Sequence, residues 1–157
     1  MPPRSAIPGQ LDLLGWSAPE PVRRFAEERV RGVTMRDRLS RAIGACLKDA
    51  DARGLTREEI AVRMSEFLGE KVSTHMVNAY ASPARDDHVI SVTRLMALLH
   101  ATGDQRLLEL IAEPMGWAVV ERKYLPLIEL AAVRERADEL AKRSAYIRRL
   151  AKREGTL

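Results

Sequence analysis

Four stretches of this chain open on a hydroxyl residue, continue at helical spacing and stop near a glycine or proline. That punctuation leaves little room for anything but helices. Thr34 is followed three residues on by Asp37, and Thr56 by Glu59, the spacing of a capping box. After Thr34, Met35, Leu39, Ala42, Ile43, Cys46, Leu47 and Ala50 form one apolar stripe, and Gly54 is placed to end it. After Thr56, Ile60, Ala61, Met64, Phe67 and Leu68 are expected to face a core, with Gly69 as the turn and Val72 as its apolar plug. Ser73 is the next N-cap, Met76, Val77 and Tyr80 are the inward face of a second short helix, and Pro83 closes it. Ser91 opens a further helix that Gly103 stops.

The remainder fits the same architecture. Val22, Phe25, Ala26 and Val30 predict a short helix before Gly32. Asp104 is placed to cap "QRLLELIAEPMG", which Pro114 interrupts. "WAVVERKYLP" is either a small strand or an extended connector, and 127–154 reads as one long helix. Ala, Leu, Arg and Glu dominate and β-branched residues are sparse, which favours helix. The expected fold is all-α: a proline-fenced, disordered arm over 1–21, a helical domain over 22–119, and a basic C-terminal helix over 120–157.

Composition closes off several classes. Cys46 is alone, so no disulfide framework and no cysteine zinc site is expected, and a reducing cytoplasm is the simplest compartment. No apolar run is long enough to span a membrane, and "MPPRSAIPGQ" has no secretory h-region. His75, His88 and His100 lack metal-ligand spacing. Asp86 and Asp87 beside His88 are expected to be solvated, and His100 to be a partly buried helix residue. No phosphate loop or nucleophile elbow appears, so no catalytic residue, metal or cofactor is expected, and Cys46 is expected to be structural. The net charge of +4 equals the excess over 121–157, ten Lys/Arg against six Asp/Glu. That excess mildly favours an acidic partner.

The pair 56–68 and 73–80 resembles the helix-turn-helix of lambda-repressor and Cro-type regulators. The resemblance rests on Thr56, Ile60, Ala61, Gly69, Val72, Ser73 and Val77. "ATGDQRLLELIA" resembles the corresponding segment of phage CII-type regulators, and the organisation is similar to small early-region proteins of Mu-like transposable phages. Two features depart from the pattern. The "MSEFLGEKVS" turn carries about four residues more than the family's usual turn, and Glu58, Glu59, Glu66 and Glu70 make the motif locally acidic, which opposes phosphate attraction. The resemblance implies binding of double-stranded DNA, with a recognition helix in the major groove. Ser73, Thr74, His75, Asn78 and Ser82 would be exposed on or just beyond that helix, Asn78 as a reader of adenine. Arg57, Lys71 and Arg85 would flank it and hold phosphates.

Near the start, Gln10, Leu11, Asp12, Leu13 and Leu14 resemble the pentapeptide by which bacterial polymerases and repair proteins dock on the DNA polymerase sliding clamp. Gln10 would anchor through its amide, Leu11, Leu13 and Leu14 would fill apolar pockets, and Trp16 would add contact. Two other readings stand beside it: a staple on the chain's own helices, and pairing with a second copy. In the long helix, Leu130, Val133, Ala137, Leu140, Ser144, Ile147 and Ala151 alternate in steps of three and four. This is a heptad seam, expected to make a homodimer or to pack on the chain's own body. Two functions follow: a DNA-binding regulator of a phage or mobile element in a bacterial cytoplasm, or a clamp-binding adaptor that keeps the helix-turn-helix as scaffold.

Overall fold

In the computed structural model, residues 20–83 and 89–155 are described. Among them are seven α-helices and no strand: α1 (Glu27–Val30), α2 (Met35–Ala52), α3 (Arg57–Leu68), α4 (Thr74–Tyr80), α5 (Val92–Thr102), α6 (Arg106–Ala112) and α7 (Leu125–Arg153). Short 3-10 turns cover Glu113–Met115 and Arg122–Tyr124. The second lies in the connector to α7, which forms no strand. Among these described residues, no helix is long and apolar enough to cross a membrane.

The caps lie where the hydroxyl residues put them. Thr34 and Thr56 each close a reciprocal capping box, with Asp37 and Glu59, and Ser73 and Ser91 accept from the backbone N–H groups of Met76 and Arg94. Gly69 ends α3 at φ 68°, a left-handed conformation costly for any residue with a Cβ. Gly32 serves differently. A Cβ there would meet Asp37 Cβ at 2.7 Å and Arg38 N at 2.8 Å, so the chain entering α2 passes too close for a side chain.

The core is where α2, α3, α4, α5 and α6 meet. Ile43, Leu47, Ile60, Met64, Val77, Leu98 and Leu107 are almost wholly buried in it. Four expectations change. α1 spans only Glu27–Val30, because Val22 and Phe25 reach the body from extended chain rather than from a helix. Met35 and Phe67 are exposed, not core, since each sits at an end of its helix. His100 is likewise exposed, and its ring stacks on Phe67 at 4.7 Å between centroids. Asp104 does hold the N–H of Arg106 (3.1 Å), but it is buried and spends most of its carboxylate on the Arg106 guanidinium.

That guanidinium is a hub. Arg106 donates to Asp104 (2.5 Å) and Asp49 (2.8 Å) and lies over the Phe25 ring at 4.1 Å. Arg29 closes the chain of charges on Asp49 at 2.7 Å. The Arg29 hydrogen bond, joined by that from Arg106, holds the Asp49 carboxyl down at about 2. Cys46 lies in the same region, fully buried, its thiol pushed up to about 12 by burial. Buried Glu109 pins the ends of the body. It accepts from Arg24 Nε (3.0 Å) ahead of α1 and from the Val119 N–H (2.7 Å) in the connector.

Candidate nucleic-acid interface

The α3–turn–α4 unit is built outward from one serine. Ser65, in the last full turn of α3, donates to the Ala61 carbonyl (2.7 Å) and accepts from the Val72 N–H (2.9 Å). Val72 is thereby drawn under the turn, where it is buried. The long turn anticipated from "MSEFLGEKVS" is resolved by helix: α3 runs on to Leu68, leaving only 69–73 to connect the pair. Ser73 then caps α4 through Met76, and Val77, Ala79 and Tyr80 are buried against the rest of the body.

Arg94 of α5 secures the far side. Its guanidinium donates to the Tyr80 hydroxyl (2.7 Å) and to Glu70 Oε1 (3.3 Å), joining the end of α4 to the turn that precedes it. These two partners, Tyr80 first, raise the pKa of Arg94 above its ordinary value. They also change the electrostatics of the motif. Glu70 is neutralised by Arg94, and Glu59 is spent on the Thr56 cap, whose backbone N–H and hydroxyl hold its carboxyl below the usual range. Of the two, only Glu70 has its charge offset by a cation, while Glu59 stays an anion at the start of α3.

On the open face, His75 and Asn78 are exposed, as is Lys71 in the turn, and Thr74 is half-buried. Ser73 and Ser82 are half-buried rather than exposed. The Ser73 hydroxyl is committed to the cap. Arg57 is half-buried at the start of α3, and its Nη1 donates to Oδ1 of Asn78. The pair borders an open groove of about 410 Å³ shared with Lys48, Asp51, Glu58 and Thr74. Lys48 was not apparent as a site residue. It belongs to α2, and its only sequence signal is a polar position opposite that helix's apolar stripe. Arg94 acts through Tyr80 and Glu70, which no local pattern joins to it, whereas Ser65 acts within seven residues but carries no cap or turn spacing that marks it.

An asparagine amide has two N–H donors and two acceptor lone pairs on its oxygen. With one lone pair engaged by Arg57, exposed Asn78 keeps its two Nδ2 donors and the guanidinium keeps its further N–H groups. Such a face suits groups rich in acceptors: phosphate oxygens, or the N7 and O6 edge of guanine.

Among the described residues, no group of three His, Cys, Asp or Glu side chains is placed to hold a metal ion. Arg85, Asp86, Asp87 and His88 lie outside the described residues, as do Gln10, Leu11, Asp12, Leu13, Leu14 and Trp16 of the clamp-like motif. The positions of the heptad seam all fall on α7. Comparison with protein-family models, with curated proteins and with solved structures gives no match.

Proposed function

We propose that this chain is a non-enzymatic DNA-binding regulator that reads the major groove with α4. One observation carries the reading. A doubly capped helix pair buries one side of α4 and leaves His75 and the Arg57–Asn78 pair on its open side, with Lys71 and Lys48 near by. Positive residues at the edge attract phosphate, and polar side chains on a rigid helix face bases. The sequence resemblance to phage regulators supports the same reading and suggests a mobile-element setting, and the QLDLL stretch suggests tethering to a sliding clamp.

The test is a gel shift of the full chain with random and selected duplexes over a salt series. Binding at low salt that weakens steeply as salt rises is expected. Failure to bind any duplex at low salt overturns the proposal. Exposed Glu58 and Glu66 on α3 favour the adaptor reading instead. It predicts that partners captured from a bacterial lysate survive DNase treatment.

A further inference from the structure

The 29 residues of α7 include none that is buried. Leu130, Val133, Leu140 and Ile147 are between 44% and 60% exposed, although they share one seam. Apolar residues regularly spaced along one stripe of a helix are a face made for another helix. The identity of that helix can be read from sizes and charges along the seam.

The seam has two kinds of position. One carries Val133, Leu140 and Ile147, all large. The other carries Leu130 and then Ala137, Ser144 and Ala151, all small after the first. Two parallel copies would set each residue against itself. Every second layer from Ala137 on, at 137, 144 and 151, would then be small against small, leaving space that side chains of ordinary size fill. Two antiparallel copies set one kind of position against the other. With Ala137 opposite Leu140 of the second copy, Val133 meets Ser144 and Leu130 meets Ile147. A register one heptad further along would leave Leu130 facing Glu154 instead.

Charge agrees with size. From 141 to 153 the helix carries Lys142, Arg143, Arg148, Arg149, Lys152 and Arg153 and no acid. All four acids of α7, Glu129, Glu135, Asp138 and Glu139, fall in its first half. A parallel pair would bring the two basic halves together within a Debye length, whereas an antiparallel pair lays each over the mixed, acid-bearing half. The antiparallel register does bring Arg136 near Arg143 of the second copy. Arg136, however, is already paired with Glu139 of its own helix at 2.8 Å. We infer that α7 is a self-association helix that takes an antiparallel second copy of itself, register centred between Ala137 and Leu140.

The test uses the full chain spin-labelled at Lys152→Cys, with buried Cys46 left in place. In the antiparallel pair residue 152 lies opposite residue 125, so the two labels sit about 40 Å apart at 1.5 Å per residue. A parallel pair brings them within about 20 Å, the width of two helices side by side. Leu140→Asp is expected to raise the dimer dissociation constant at least about tenfold while leaving the circular dichroism unchanged, since the residue is exposed in the single chain. Val133→Cys and Ser144→Cys chains are expected to form disulfides when mixed and not when each is alone. A short label distance, self-crosslinking of Ser144→Cys, or a wild-type chain that sediments as a monomer at about 100 μM would overturn the inference. None of these readings depends on DNA.

Discussion

Arg57 on the first helix of the pair donates to Oδ1 of Asn78 on the second, 21 positions away, and so fixes which way the Asn78 amide faces. Under the proposed function, Arg57 would then act in base reading as much as in phosphate contact. Arg57→Ala and Asn78→Ala are each expected to cost about 1–3 kcal/mol on a preferred duplex and much less on random DNA. The double change should cost less than the sum, because either single change already breaks the unit. Binding isotherms on selected and scrambled duplexes would measure this. A loss equal on both duplexes would mean that neither residue reads a base.

Ser65→Ala removes both the acceptor for the Val72 N–H and the donor to Ala61. A part-buried amide left without its partner costs about 1–2 kcal/mol. Urea denaturation should show that loss. DNA binding at a temperature where the variant is still folded should fall as well, since the angle between α3 and α4 depends on the same hydroxyl. Ser65→Thr, which keeps the hydroxyl, should recover most of the binding.

Acid should weaken the body through Asp49. Its carboxyl is held at about 2, below an unfolded value of about 3.9, so the folded state favours the charged form. The stability this gives is fully present above about pH 4 and is lost as pH falls from there towards about 2. Asp49→Asn is expected to cost about 1–2 kcal/mol at neutral pH, a modest figure because Asp49, Arg29 and Arg106 all keep contact with water. Denaturation of the two proteins at pH 7 and near pH 2 should show the difference shrinking.

At Glu109 the charge and the acceptor can be separated. Glu109→Gln keeps an acceptor for the Val119 N–H and gives up the ion pair with half-exposed Arg24, so a loss of about 1 kcal/mol is expected. Glu109→Ala removes both and leaves a cavity, and about 2–3 kcal/mol is expected. Limited proteolysis between Trp117 and Tyr124 should accelerate for the alanine variant and much less for the glutamine one.

Local chemistry was legible in the sequence. Thr34 with Asp37 and Thr56 with Glu59 are complete within four residues, so their capping boxes could be read directly. Gly69 and Gly103 mark helix ends in the sequence, and both take left-handed φ there. Phe67 and Met35 are exposed against expectation because periodicity gives the side of a helix and not how far the neighbouring helix extends. α1 is shorter than its apolar spacing predicts because apolar residues in extended chain can reach a core as helical ones do. At the candidate interface, exposure of His75 and Asn78 followed from the period of α4, whereas the Arg57 contact and the Arg94 brace join elements far apart in the chain. The charge hub of Arg29, Asp49, Asp104 and Arg106 was invisible for that reason as well, since only the fold brings Asp49 to Arg106.

The bond from Arg24 to Glu109 closes a loop of 85 residues, and the adjacent bond from Val119 hangs on the same carboxylate. Long loops are the last to close, since the chain must surrender its freedom before the contact rewards it. The helix pair needs no such closure, because its own caps and the Ser65 hook span only a few residues. Folding is thus expected to proceed from the α3–α4 hairpin outward, and opening from the Glu109 latch inward. In hydrogen exchange the Val119 amide should then be among the first in the body to be lost, while the amides of Met64 and Val77 persist until the whole body unfolds.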